Sequence, residues 1–134
     1  MRTTTSSGWR AVTDGGALAA HIDTIERGYE YLLAYAAQGR QDDSGTEARP
    51  LLIAMHAALG ELGTQARAVT GAAAAEAGAW FDALDRDAAV ARGALALVLA
   101  KPRISSLLVD NLNASVHLRA LLTDVFLLEQ SLKG

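Results

Sequence analysis

Three histidines are the side chains of this sequence best suited to acid–base, phosphoryl-transfer or metal chemistry. His21 lies at the edge of an apolar stripe, and Glu26 and Glu30 lie one turn apart on another face of the same segment. Two carboxylates at that spacing could ligate a metal, but the Glu-x-x-His pair of di-iron bundles does not occur in the chain. We therefore expect a boundary histidine here, with no metal site and no cofactor.

His117 shares a line of polar residues with Asp110, Asn113 and Asp124 when its segment is placed on a helix. A carboxylate that orients an imidazole is the start of a general base. Each aspartate, however, is seven residues from His117, which is about 10 Å along a helix axis. The pattern predicts a solvated polar face.

His56 is followed by two glycines at helical spacing, so that His56, Gly60, Gly63 and Arg67 form one line beside an apolar stripe. A glycine one turn after a histidine leaves room for another protein to approach the imidazole. The stretch from His56 to Gly63 resembles part of the histidine phosphotransfer domain motif, in which glycine follows the phosphorylated histidine by four residues. The resemblance implies a helical bundle that carries a phosphoryl group on His56. The lysine that precedes the glycine in that family is Leu59 here.

Composition excludes several classes of protein. The net charge of −3 and the pI near 5.5 provide no broad positive field, so nucleic acid is not an expected partner. No apolar run approaches the roughly 18 residues that span a bilayer, so no membrane association is expected. The absence of cysteine excludes disulfides and thiolate zinc sites, and the N-terminus has no apolar leader, which predicts a cytoplasmic protein. Abundant alanine, with arginine in excess of lysine, is typical of a GC-rich bacterial genome.

The common signatures of enzymes are also missing. The sequence contains no phosphate-binding glycine loop, no Gly-x-Ser-x-Gly elbow and no His-Glu-x-x-His pair. Helical enzymes can nevertheless assemble a site from scattered residues that no spacing rule reveals. The sequence therefore favours a non-enzymatic protein without deciding the question.

Apolar residues recur every three or four positions through most of the chain, which predicts an all-α protein. Residues 1–12 show no period and are predicted to be a flexible arm, whereas residues 13–134 are predicted to form one antiparallel, up-down bundle. We expect four to five helices. Their predicted ranges are 13–39, 47–69 with a kinked extension to Leu84, 85–100 and 103–132. The alternative for residues 72–84 is a helix of their own.

Two local features add to these predictions. Ser44 and Glu47 have the spacing of a capping box at the start of the second helix. The run from Gly93 to Ala100 is apolar on all sides, which predicts that it is buried.

The last predicted helix carries more apolar surface than one seam of a bundle needs. Its apolar residues cover close to half of the circumference, whereas one seam needs a stripe little wider than ~100°. The surplus meets either a second neighbour in the same chain or a second protein. Aromatic pairs elsewhere suggest further contact surface, because aromatic side chains are enriched at interfaces. The predicted contact residues are Tyr31, Tyr35, Trp80, Phe81, Leu118, Leu121, Val125 and Leu128.

The leading hypothesis is a non-enzymatic bundle that acts through protein contacts, as a homodimer or with a partner protein as an accessory subunit or assembly factor. The second hypothesis is phosphotransfer through His56. The third is a small-molecule site, catalytic or regulatory, in the bundle interior near His21 and Tyr29.

Overall fold

The computed structural model describes residues 13–133, with side chains from residue 16 onward. These residues form six helices and no strand, which confirms the predicted all-α bundle. The predicted arm, residues 1–12, lies outside the described residues. The helices are α1 (Thr13–Ala36), α2 (Ala48–Thr70), α3 (Ala73–Glu76), α4 (Gly78–Leu99), α5 (Ser106–Ala114) and α6 (Val116–Lys133).

Contacts between helix ends establish how the bundle is wound. Arg49 at the start of α2 donates hydrogen bonds to the carbonyl oxygens of Leu99, the last residue of α4, and of Lys101, two residues further on, at 2.9 and 2.7 Å. Ser106 at the start of α5 donates to the carbonyl oxygen of Tyr35 near the end of α1, at 2.7 Å. The end of α1, the start of α2, the end of α4 and the start of α5 therefore lie at one end of the bundle, as an up-down winding requires.

The predicted extension of the second helix to Leu84 is wrong. α2 ends at Thr70, and Gly71 adopts a φ of 71°, a left-handed conformation that glycine reaches without strain. One short turn, α3, leads into α4, which begins at Gly78 and runs through Leu84 to Leu99. Alanine favours helix on both sides of the break, so helix propensity gives little indication of where the chain turns.

The last helix is divided, whereas the sequence predicted one helix from Arg103 to Leu132. α5 begins at Ser106, where the side chain of Ser105 accepts a hydrogen bond from the amide of Leu108 at 3.0 Å. The helix ends at Ala114, because Ser115 turns out with a ψ of 127°. The backbone amide of Ser115 bonds the carbonyl oxygen of Leu112, three residues back, at 3.0 Å, so the α-helical pattern ends here.

α5 lies obliquely across α1. Ser106 reaches the carbonyl of Tyr35, and the Asn113 amide donates to the carbonyl of Leu32 at 3.0 Å. These two hydrogen bonds are seven residues apart on α5, about 10 Å, but three residues apart on α1, about 4.5 Å, so the axes of the two helices cross at an angle. After the break at Ser115, α6 packs mainly against α4.

The predicted capping box at Ser44 and Glu47 does not form. Glu47 is the residue before α2, and its side chain makes no capping hydrogen bond. The loop is held instead by Asp43, whose carboxylate accepts from the amide of Ile104 at 2.9 Å and from Arg49 Nε at 3.2 Å. These bonds fix the α1–α2 loop to the segment between α4 and α5.

One continuous core of leucine, isoleucine, valine, alanine, Met55, Tyr35 and Phe81 fills the space between the helices. Within residues 13–133, none of the helices combines the length and the apolar character that a bilayer-spanning segment needs.

Candidate contact surface

The four predicted contact residues of the last helix lie inside the chain. Their side chains are almost completely buried between α6 and the helices that cover it, and these residues are Leu118, Leu121, Val125 and Leu128. Their apolar surface is already covered within this chain. Any free apolar surface on α6 must therefore belong to neighbouring positions.

The predicted contact residues Tyr31 and Tyr35 of α1 lie at contacts within this chain. Gly28 lies directly against the side chain of Met55, and Tyr31 accepts a hydrogen bond from the amide of Glu47 at 3.2 Å. Tyr35 is fully buried, and burial is the main reason that the pKa of its hydroxyl is raised. The two tyrosine rings stack with their centroids 6.2 Å apart. These residues join helices of one chain.

Trp80 and Phe81 divide between the core and the surface. Phe81 is buried, whereas Trp80 is half-buried, and their rings meet edge to face with centroids 5.1 Å apart. Trp80 thus keeps part of its ring available on the outside of α4.

An exposed apolar face runs along the seam between α4 and α6. On each helix the residues of this face lie within about 60° of the helix circumference. This sector is next to the side chains that face the other helix. Leu97 is 75% exposed, Val116 67% and Leu127 57%. We call this surface the α4–α6 face, and it consists of Ala83, Val90, Ala94 and Leu97 of α4 with Val116, Ala120 and Leu127 of α6.

The α4–α6 face has a groove at each end. The first groove, of about 290 Å³, lies where the start of α4 meets the end of α6, and it is almost entirely apolar. The second, of about 210 Å³, lies where the end of α4 meets α5. The first is lined by Thr70, Ala73, Ala77, Trp80, Phe81, Leu127, Leu128 and Ser131. The second is lined by Ala94, Leu97, Val98, Leu108, Asn111, Leu112 and Ser115.

Two carboxyl groups meet at the middle of this seam. Burial, followed by a hydrogen bond with Asp87 of α4 and the charge of that residue, raises the pKa of Asp124 of α6 to about 7. When both groups are ionised, the buried Oδ2 atom of Asp124 has no hydrogen-bond donor. A proton held between the two residues turns repulsion into a hydrogen bond, so the pair favours sharing one proton.

The helices themselves offer no cation to this pair. The residues three and four positions from Asp87 on α4 are alanine, leucine and valine, and those around Asp124 on α6 are alanine and leucine. Such positions are the neighbours of a side chain on a helix surface. The carboxyl pair is therefore a single acidic spot within an apolar face.

Comparison of the chain with protein-family models, curated proteins and solved structures gave no match.

The sequence did not predict this face. The apolar run from Gly93 to Ala100 suggested burial, yet Leu97 is among the most exposed large side chains of the described chain. Asp124 was placed on a solvated polar line, whereas it is half-buried against Asp87. The available signal was an aspartate flanked only by alanine, leucine and valine at helical spacing, once on each helix.

His56 is half-buried on α2, and its neighbours come from α4. Arg92 donates from Nε to the carbonyl oxygen of His56 at 3.1 Å, and its guanidinium lies over Gly60. The space left by this glycine thus holds an arginine of the same chain. Arg67, which the sequence aligned with His56, instead binds Asp85 at 2.8 Å.

The other two histidines have no catalytic setting among residues 13–133. His21 is half-buried and His117 is exposed. Asp110 now belongs to α5 and Asn113 is buried against α1, so neither shares a helix face with His117. Across the described residues, no three histidine, aspartate or glutamate side chains are grouped as metal ligands.

Proposed function

We propose that this protein acts through protein contact and that the α4–α6 face joins it to a second copy of itself. The observation that supports the proposal is the exposed apolar surface on two adjacent helices, with the carboxyl pair at its middle. Contiguous apolar surface of this kind on a small protein is typical of interaction sites. The alanines of the face would also let two helices approach closely.

The ends of the face complement each other. Leu97 lies two residues before the last residue of α4, and Trp80 lies two residues after the first. A two-fold axis that crosses α4 at its midpoint would therefore bring Leu97 of one copy to the first groove of the other, which Trp80 lines. An isologous contact requires this kind of self-complementarity.

The area of the face is close to what a dimer needs. α4 and α6 have 22 and 18 residues, so they are about 33 and 27 Å long. With axes 8–10 Å apart, their outer surface is roughly 600 Å² in projection. The accessible area of a corrugated surface exceeds its projection, and a standard interface buries about 800 Å² per partner.

Molar mass in solution tests this proposal. We expect light scattering to show a dimer of the wild type at one or more pH values between 5 and 8.5. Leu97→Glu should be a monomer at every pH in that range. Ile53→Glu is the matched control, because Ile53 is 54% exposed on α2 and lines neither groove of the face. A wild-type protein that is monomeric throughout this range, or a dimer that survives Leu97→Glu, would refute the proposal.

A single cysteine tests the geometry directly, because the chain has none of its own. Val90 is close to the midpoint of α4, so Val90→Cys in two copies would lie about three residues apart along the helices. That separation is within reach of a disulfide. We expect a covalent dimer after mild oxidation of Val90→Cys and none from Ile53→Cys.

Phosphotransfer through His56 is a second candidate, favoured by one observation. The guanidinium of Arg92 lies over Gly60, one turn after His56. It supplies a cation near the position at which the phosphotransfer family has a lysine and α2 has Leu59. A guanidinium there could bind the oxygens of a phosphoimidazole. His56 lies where α2 packs against α4, so phosphotransfer would leave the α4–α6 face free.

Labelling by acetyl phosphate tests the second candidate. We expect acid-labile phosphate on the wild type, none on His56→Ala and less on Arg92→Ala, with His21→Ala as the control. Equal labelling of wild type and His56→Ala, or no labelling of either, would exclude it.

A further inference from the structure

We infer that the carboxyl pair of Asp87 and Asp124 makes self-association depend on a proton, so that two copies join when each pair is protonated and separate when both carboxylates are ionised. This inference rests on the proposed dimer and adds its regulation. The position of the pair at the centre of the α4–α6 face supports it.

The pair occupies the centre of the face on both helices. Asp87 is within two residues of the midpoint of α4, and Asp124 is at the midpoint of α6. A two-fold axis through these midpoints brings the pair of one copy next to the pair of the other. Association would thus gather four carboxyl groups into one apolar contact.

Ionised carboxylates in that contact would be costly. The Oδ2 atom of Asp124 already lacks a donor, and the residues around the pair on both helices are apolar. Covering the face with a second copy removes the water that solvates the exposed parts of both groups. A buried charge without a partner opposes association, whereas a carboxyl–carboxylate hydrogen bond is tolerated.

The other charged groups of these helices do not neutralise the pair. Arg86 follows Asp85 on the exposed side of α4, about 100° around the helix from Asp87. His117 lies on the line of Asp124 but two turns earlier, and it is exposed. On the side of α6 that meets α1, the neighbouring groups are Tyr29 and Arg119, away from the seam with α4.

The separate copy is already poised for this response. Burial, followed by the hydrogen bond with Asp87 and the charge of that residue, raises the pKa of Asp124 to about 7 before a second copy binds. Further burial by a second copy would raise it more. Each proton taken up on association weakens dimerisation about tenfold for each pH unit above this range.

Sedimentation or light scattering at pH 6 and pH 8.5 tests the inference on the full chain. We expect the dissociation constant of the dimer to rise at least tenfold from the lower to the higher pH. Asp124→Asn keeps one negative charge in each pair, as a shared proton does, so this variant should dimerise with nearly equal affinity at both values.

Two controls separate the inference from the proposal beneath it. Asp110→Asn, an exposed site on α5, and His117→Gln should both keep the pH response of the wild type. A dimer that is sensitive to Leu97→Glu but has the same affinity at pH 6 and 8.5 would retain the contact and overturn its regulation. A chain that is monomeric at both values would overturn the contact itself. A response lost in His117→Gln would assign the proton to that histidine and overturn the role of the pair.

Discussion

The hydroxyl oxygen of Tyr35 lies 2.6 Å from the carbonyl oxygen of Ile104, and this contact joins α1 to the segment that precedes α5. The same hydroxyl lies 3.0 Å from the carbonyl oxygen of Asp42. One hydroxyl carries one proton, so it donates to one of the two carbonyls at a time. Tyr35 thereby serves two carbonyl groups at the end of the bundle.

Removing this hydroxyl should destabilise the fold. Tyr35→Phe keeps the ring but leaves the buried carbonyl of Ile104 without its donor, which costs about 1–2 kcal/mol. We expect the melting temperature to fall by several degrees. Tyr29→Phe is the control, because the Tyr29 hydroxyl makes no hydrogen bond within residues 13–133, unlike those of Tyr31 and Tyr35. Equal losses in the two variants would contradict this role for Tyr35.

Asp43 should make stability sensitive to acid. The hydrogen bond from the amide of Ile104, together with Arg49, lowers the pKa of Asp43 below its usual value, although burial opposes this shift. Its contribution is present above the unfolded pKa of about 3.9 and is lost as the pH falls through the folded pKa. In urea unfolding, Asp43→Ala should cost about 1–2 kcal/mol at pH 6 and progressively less as the pH is lowered through the folded pKa. A loss that does not change with pH would disprove this assignment.

Two glycines should respond in opposite directions to alanine. A methyl group at Gly28 would collide with the fully buried Met55, and overpacking of about 1–3 kcal/mol outweighs the gain in helix propensity. Gly93 of α4 has open space around it, so alanine there should stabilise the protein by roughly 0.5–1 kcal/mol. Thermal unfolding of Gly28→Ala and Gly93→Ala measures the contrast, and a stabilised Gly28→Ala would show that the α1–α2 seam is looser than described.

The carboxyl pair should reduce folding stability as the pH rises. The folded state holds a proton on Asp124 up to about pH 7, whereas the unfolded chain releases it near pH 4. Between these values the folded state binds more protons, so the free energy of unfolding falls as the pH increases. Relative to the wild type, Asp124→Asn should therefore raise the free energy of unfolding more at pH 8 than at pH 4.5. Measuring this in the Leu97→Glu background removes association, and an unchanged pH profile would argue against the pair.

Local signals in the sequence predicted the helical class of this protein and much of its core. Apolar side chains such as Leu52, Met55 and Leu62 recur at the helical period, and the structure buries all three. Periodicity works here because each helix must cover one stripe, and a stripe can be identified along the chain without knowing what covers it.

The sequence could not indicate which neighbour covers a stripe. Tyr35 lies off the stripe that α1 presents by periodicity, yet α5 crosses α1 and buries it. Leu97 belongs to an apolar run, yet no helix of the described chain covers it. The difference arises from the breaks at Gly71 and Ser115, which set where each helix begins and therefore which faces meet.

The acidic spot shows the same division. Sequence alone places Asp87 and Asp124 among apolar neighbours, each on its own helix. Their pairing depends on the antiparallel register of α4 and α6, over a separation of 37 positions in the chain. Side-chain periodicity is a local property, whereas burial, charge pairing and exposed apolar surface result from long-range packing, and only the tertiary structure decided them.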